Sequence, residues 1–372
     1  MGRCKTELNK IAIFISNYTI GNNPSIVNLL EFLSDKYWVD LYLRSVSLKN
    51  VNVLRKKNIN IIELKRKSFF RHLRLKQKAR TGYYKSYICI DPHGFVLCKD
   101  LFPESRPIYY SLELYMKKDH FGLSYSRDVM EKERKEIGRI KGLIIQSKEK
   151  ESLFRKDYNL TDLIPSLIIP VTYNGASVKK KSQLIRDRFN IHENKKIALH
   201  LGGIASWFSC IELAVSFSKL SAWVLFFQGY PDTEYLSRLK TVIAQNNILN
   251  VIISEELYDS IDDVDSVVMA CDLGVAWYND ISIGFRTAGK SSGKIAAYLK
   301  FGLPVVAKKY PSTYDAIENT VCGVCIDDFD EIRNAVYKIE ERYSEYSQNA
   351  RTEYDKTYRF ENYKNKLLDF IE

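Results

Sequence analysis

The sequence predicts an α/β chain of two similar-sized halves, each a parallel sheet covered by helices. Three observations carry this. Short apolar runs alternate with amphipathic stretches through nearly all of the 372 residues. That length suits two domains, each with its own core. Between the halves, IIPVTYNGASVKKKS (168–182) breaks the periodicity with proline, glycine and a lysine run.

In the first half the strand candidates are IAIFI (11–15), WVDLYL (38–43), INIIEL (59–64), SYICI (86–90), PIYYSL (107–112) and GLIIQS (142–147). PSIVNLLEFLSDK reads as a helix opened by Pro24, whose missing N–H has no partner to lose in a first turn. SYSRDVMEKERKEIGRIK (124–141) reads as a second, highly charged helix. The second half repeats the alternation with KIALHLG (196–202), AWVLFFQG (222–229), NVIIS (250–254), DLGVAW (272–277), LPVVAK (303–308) and GVCIDD (323–328). From about 350 onward Tyr354, Tyr358, Tyr363, Leu367 and Phe370 recur at helical spacing. The predicted domains are 1–170, 171–350 and a helical tail, 351–372, packing back toward the N-terminal domain. Two Rossmann-like halves imply a cleft where the carboxyl ends of their strands face each other, and ligands are expected there.

Apolar residues make up 45% of the chain and charged residues 27%, an ordinary globular composition. The apolar run after GRCKTELNK is too short for a signal peptide, and no stretch approaches the roughly 20 apolar residues that span a bilayer. A cytoplasmic protein is expected. Seven scattered cysteines fit a reducing compartment. Cys322 and Cys325 form a CxxC with no second pair or ligating histidine nearby, so they read as small apolar residues in or beside a buried strand, and no metal is expected. The net charge of +11 is uneven: residues 1–170 carry +14 and residues 171–372 carry −3. An anionic partner for the first half follows.

The run GFRTAGKSSGKIAAYLKFGLPVVA (284–307) holds Gly284, Gly289, Lys290 and Ser291 at the spacing of a Walker A phosphate loop. A P-loop-type nucleotide hydrolase is therefore one reading. Its surroundings argue against it. The nearest strand ends at Trp277, with six residues between it and the first glycine, so Gly284 is expected inside a long polar loop, and LPVVAKK carries no acid for magnesium. Ser291, Ser292 and Gly293 instead lead into a helix closed by Gly302. Serine at its N-cap leaves first-turn N–H groups free, and Arg286, Lys290 and Lys294 add positive charge. That is an anion site at a helix N-terminus, suited to a diphosphate.

CDLGVAWYN followed by GKSSGKIAAYLKFGLPVVA resembles the donor-site signature of GT-B-fold glycosyltransferases, particularly the bacterial surface-polysaccharide transferases. LHLGGI (199–204), VLFFQG (224–229), YYSLEL (109–114) and GLIIQSKEKESLF (142–154) extend the likeness. The resemblance implies GT-B architecture, two Rossmann-like domains facing each other across a cleft. It implies a metal-independent, hexosyltransferase-like enzyme without cofactor. Such an enzyme would move a sugar from a UDP- or GDP-sugar to a glycan or lipid-linked acceptor in surface polysaccharide biosynthesis. A non-catalytic relative that binds sugar nucleotide or glycan is a further alternative.

The resemblance places base and ribose near Ser254, Glu255, Glu256 and Leu257. It places the diphosphate over Ser291, Ser292 and Gly293, with Gly202 and Gly203 on the other side and Tyr278 beside the donor. Many relatives carry two glutamates eight positions apart, where this chain has Gly289 and Ala297. Relatives also carry an Arg and a Lys that are missing from GGIASWFSC. Ribose recognition then falls to Glu255 or Glu256, and leaving-group charge to Arg286, Lys290 or Lys294.

If the reaction inverts the anomeric centre, a first-domain base takes the acceptor's proton. Candidates are Asp91 and His93 in ICIDPHGF and Glu113 in YYSLEL; a plain turn is the other reading of Asp91–Gly94. His200 reads as structural and His72 as surface. KRKSFFRHLRLKQKAR (65–80) has eight Lys/Arg and no acid. An anionic membrane surface, a plain surface helix and nucleic acid compete for it, and no nucleic-acid motif accompanies it. The expected place is cytoplasmic, with peripheral attachment to the inner membrane face through this segment.

Overall fold

The computed structural model describes residues 9–16, 20–21, 23–46, 52–64, 84–116, 127–179, 181–254, 256 and 260–372. Two compact units divide the chain, Met1–Pro170 with Asn362–Glu372, and Val171–Glu361. Residues 351–361 thus stay with the second unit, and 362–372 join the first.

The first unit is built on β1 (Lys10–Ser16), β2 (Trp38–Arg44), β3 (Ile59–Glu63), β4 (Ser86–Ile90), β5 (Ile108–Tyr110), β6 (Gly142–Ile145) and β7 (Ser166–Ile168). They form one parallel sheet in the order β3-β2-β1-β4-β5-β6-β7. Helices α1 (Pro24–Ser34), α2 (Asp91–Leu101), α3 (Arg127–Glu136) and α4 (Lys148–Tyr158) connect them. The central strand β1, KIAIFIS, is buried at every residue after Lys10. A strand paired on both edges and covered on both faces needs such a continuous apolar run. At α1, Asn23 caps the helix by accepting from Ile26 N at 3.1 Å, ahead of Pro24. Asp91–Gly94 corrects the turn reading, for these residues are the first turn of α2. Gly94 serves a close approach rather than a bend, because a Cβ there would lie 2.4 Å from Phe14 O.

β7 is absent from the strands the sequence predicts. It has three half-buried residues, SLI, too few to show a period, and it adds to the sheet by pairing Leu143 with Ser166. The charged helix α3 runs from Arg127 into a 3-10 turn, Ile137–Arg139. Residues 124–126, the basic run 65–80 and His72 lie outside the described residues.

The second unit has β8 (Lys196–Leu201), β9 (Trp223–Gln228), β10 (Val251–Ser254), β11 (Leu273–Ala276), β12 (Val305–Lys308) and β13 (Gly323–Ile326). They make a parallel sheet in the order β10-β9-β8-β11-β12-β13. Its helices include α5 (Leu184–Phe189), α6 (Cys210–Phe217), α7 (Thr233–Gln245), α8 (Ile261–Val268), α9 (Ile283–Arg286), α10 (Gly293–Lys300), α11 (Ile332–Glu341) and α12 (Tyr343–Glu353). Cys325 lies in β13 and Cys322 just before it, both buried and free. Where this unit begins and ends the chain pairs with itself: Tyr173 N donates to Tyr358 O and Phe360 N to Tyr173 O.

The last helix, α13 (Lys364–Ile371), belongs to the first unit. The Phe370 ring lies against Gly142, and Lys141 Nζ donates to Ile371 O at 3.0 Å. Glu372 pairs with Lys85 at 2.9 Å and accepts from Tyr37 at 3.1 Å. Among the described residues no helix is long and apolar enough to cross a membrane.

In each sheet the strand order reverses once, between β1 and β4 and between β8 and β11. Connections diverge at such a point and leave an opening at the carboxyl ends of the strands. Asp91 follows β4 directly, Gly202 follows β8, and Tyr278 lies two residues past β11.

Candidate functional site

In the second unit the β8–β11 opening is floored by α10. Ser292 caps this helix, its Oγ accepting from Ile295 N at 3.2 Å, and it shares a 2.5 Å hydrogen bond with the Tyr278 hydroxyl. Tyr310 donates to Tyr278 O at 2.9 Å, and Tyr173 to Gly293 O at 3.3 Å. Gly293 itself has only van der Waals neighbours, Val171 and Tyr173, at the place a side chain would start. The helix end is therefore held by tyrosines while its first-turn N–H groups stay uncovered by a side chain at 293.

Three cations look alike in the sequence, and the structure separates them. Arg286 is ion-paired with Asp280, and Lys290 pairs with Asp315 at 3.2 Å near the surface. Lys294 has no such partner: its Nζ is enclosed and makes no hydrogen bond. It lies over the rings of Phe208 and Tyr278, 4.1 and 5.1 Å from their centroids. It is also 3.4 Å from where a Cβ on Gly202 would sit. Burial pushes the Lys294 ammonium down to about 7, opposed by the nearby Cys210 thiol. Gly202 has φ +119°, a conformation that glycine adopts without cost, so its main chain turns over the lysine. Below, His200 is buried with Nε2 3.0 Å from Gly203 O, and burial together with the Lys294 charge holds it neutral. Cys210 Sγ is 3.9 Å from the same ring nitrogen.

Tyr298 of α10 closes the floor. Its hydroxyl accepts from Leu201 N at 2.9 Å and lies 3.0 Å from Leu199 O and 3.3 Å from Val275 O. It thereby ties β8 to β11 just below the opening. Tyr298→Phe is expected to cost about 1–3 kcal/mol, because a buried N–H loses its acceptor. Urea unfolding measures this, and an unchanged midpoint would show that the hydroxyl is dispensable.

Ser254 ends β10, buried. Glu256 is exposed and ion-paired with Arg188, while its carbonyl accepts from Gln228 Nε2 at 2.6 Å. Glu255 and Leu257 lie outside the described residues. Ser291 Oγ turns back to Thr287 O at 3.2 Å. The polar loop expected around Gly284 is instead the one-turn helix α9, capped by Ser282. That replaces the open glycine cradle a phosphate loop needs, and the lysine of the motif, Lys290, is the one held by Asp315.

In the first unit Asp91 and Glu113 come together and His93 lies half-buried one residue beyond Pro92 in α2. Asp91 Oδ1 accepts from Leu112 N at 2.7 Å and Glu113 N at 3.2 Å. Burial raises the Glu113 carboxyl above the usual range, against the pull of the Lys150 ammonium, although the residue as a whole keeps exposed surface. Lys150 and Gln146, both buried, join this cluster. Nothing in the spacing of GLIIQSKEK singles them out. Among the described residues no group of acidic, His or Cys side chains is arranged to hold a metal ion.

Two Rossmann-type units, each with its opening at the strand reversal, define the GT-B class of glycosyltransferase folds. Residues 258–368, which run from the later part of the second unit into α13 of the first, match the glucosyltransferase 3-like, C-terminal domain family. HepE of Anabaena, solved with UDP and glucose, superposes with a TM-score of 0.75 at 14% identity, over 97% of this chain and 98% of that one. Sucrose-phosphate synthase from Thermosynechococcus elongatus gives 0.71 at 13% identity, over 97% and 98%. The pneumococcal O-GlcNAc transferase GtfA, solved with UDP and GlcNAc, gives 0.58 at 10% identity, over 81% and 59%. No curated protein matches the chain in sequence.

Proposed function

We propose that the chain transfers a hexose from a UDP-sugar to a hydroxyl of a glycan or lipid-linked acceptor, in the building of a surface polysaccharide. The observation that carries this reading is Lys294, an enclosed ammonium with no hydrogen-bond partner at the first turn of α10. An unpaired buried charge is costly to keep, and a diphosphate supplies the partner it lacks. Ser292, Gly293 and the first-turn N–H groups would take the phosphate oxygens, with Gly202 and Gly203 above. Ser254, Glu255, Glu256 and Leu257 would border base and ribose, and Tyr278 the sugar. Uracil is favoured over guanine because similar folds, HepE and GtfA, hold UDP.

As the glycosidic bond breaks, negative charge grows on the departing diphosphate. Fixed N–H dipoles and Lys294 would stabilise it where water is excluded, so the reaction would need no metal. Asp91, His93 and Glu113 of the first unit supply candidates for the acceptor's proton. The eight cations of 65–80 would draw the chain to an anionic membrane surface, where lipid-linked acceptors reside.

The test is nucleotide release from UDP-glucose, UDP-N-acetylglucosamine and GDP-mannose, with EDTA present. UDP release that survives EDTA is expected. Phosphate release from ATP that EDTA abolishes would favour the hydrolase reading, and binding without release would favour a non-catalytic relative.

A further inference from the structure

The segment Ser111–Glu113, just past β5, has every main-chain polar group bonded. Ser111 N donates to Ile144 O at 2.9 Å. The N–H groups of Leu112 and Glu113 both meet Asp91 Oδ1. Gln146 Nε2 donates to Ser111 O at 2.6 Å and Leu112 O at 2.7 Å, and Ser111 Oγ donates to Glu113 O at 3.0 Å. Loops at strand ends seldom need such a clamp, and of the residues it joins only Glu113 keeps exposed surface.

The clamp is built at a cost. Asp91 holds φ +52° although it has a side chain, a conformation that costs about 1–3 kcal/mol. It is 3% exposed, with Oδ1 already committed to two amides. Lys150, 2% exposed in the first turn of α4, is another expensive group. Burial lowers its ammonium, and Glu113 and Asp91 pull it back up. Tyr115 lies in the field of Asp91, Glu113 and Glu133. Strain and buried charge kept around one carboxylate are the marks of preorganisation.

We propose that Glu113 is the group that takes the proton from the acceptor hydroxyl, and that Asp91, Gln146 and Lys150 are positioning residues that hold it for that task. This rests on the glycosyltransferase reading above. In the step, the acceptor O–H proton passes to Glu113 as its oxygen bonds the anomeric carbon. The bond from that carbon to the phosphate oxygen breaks, and its electron pair leaves on the nucleoside diphosphate. The anomeric centre inverts.

The two carboxylates are told apart by which substitution each tolerates. Asparagine at 91 keeps an oxygen that accepts from both amides but cannot take a proton. The assay is UDP release from UDP-glucose by the full chain with water as acceptor, alongside UDP affinity and melting temperature. Glu113→Gln is expected to lower release at least a hundredfold with UDP affinity within twofold. Asp91→Asn should stay within tenfold of wild type, while Asp91→Ala and Gln146→Leu fall well below it in kcat with KM little changed. Lys150→Met should move the acid limb of the pH profile upward, because the cation that holds Glu113 ionised is gone.

Full activity in Glu113→Gln, or equal damage from Asp91→Asn and Asp91→Ala, would overturn the proposal. Wild type that binds UDP yet releases none from UDP-glucose would also overturn it and leave donor binding standing. Wild type that does not bind UDP would remove the donor reading instead.

Discussion

Lys294→Met will weaken UDP binding about a hundredfold and raise the melting temperature of the free chain. The first effect follows from losing charge-assisted hydrogen bonds to phosphate, about 1.5–3 kcal/mol. The second follows because the free protein encloses an ammonium whose Nζ makes no hydrogen bond, and methionine fills similar space without that penalty. The pH dependence has a fixed sign. The folded Lys294 titrates at about 7 and an unfolded lysine at about 10.4, so between those values the unfolded chain holds a proton the folded chain lacks. This residue's contribution to stability therefore rises with pH across that window and is smallest below it. Binding runs the other way. Above pH 7 the empty site must take up a proton to meet the diphosphate, so UDP affinity should fall about tenfold per pH unit. The groups facing the ammonium are His200, held neutral, and the Cys210 thiol, pushed up to about 11, so neither supplies that slope. Calorimetry from pH 6 to 9 on wild type and Lys294→Met reads both. An unaltered UDP affinity in the variant would put the ammonium out of reach of the phosphates.

Gly289→Glu, which installs the glutamate that many relatives carry, will destabilise the second unit without improving nucleotide binding. A Cβ at 289 would sit 2.1 Å from Ser312 O, and the Gly289 N–H already meets Ser312 Oγ at 3.3 Å. Main chain cannot yield as a side-chain tip can, so the cost should reach about 1–3 kcal/mol or more. Ala297, the other glutamate position, is fully buried in the core, where a carboxylate would have no partner. Both places are closed by packing, so neither has room for the glutamate that many relatives carry. A Gly289→Glu chain with wild-type urea midpoint and tighter UDP binding would contradict this.

The sheets were legible because strands covered on both faces must be apolar at successive positions, as KIAIFIS and WVLFFQ are. β7 was not, since three residues carry no period and pairing with β6 decides the matter. The helix start at Gly293 with its Ser292 cap was legible from the sequence. Which cation stands free was not. The partners that occupy Arg286 and Lys290 are Asp280 and Asp315, and only the fold brings Asp315 across the 25 positions to Lys290. The DPHG stretch reads as a bend by its composition, yet Gly94 answers to Phe14, 80 positions away. Gln146 and Lys150 gave no signal, because a clamp made on neighbouring carbonyls and carboxylates exists only once β4, β5 and β6 are side by side.

The return of α13 to the first unit has a consequence for synthesis. Phe370, Ile371 and Glu372, which pack against the unit bearing Asp91 and Glu113, are made only after the whole of Val171–Glu361. The intervening module, Val171–Glu361, closes on itself through Tyr173 and Phe360 and can fold while its host waits. At about 5–20 residues per second that wait lasts roughly ten to forty seconds. During it the newborn N-terminal half, with its excess of positive charge, sits unfinished beside the polyanionic ribosome.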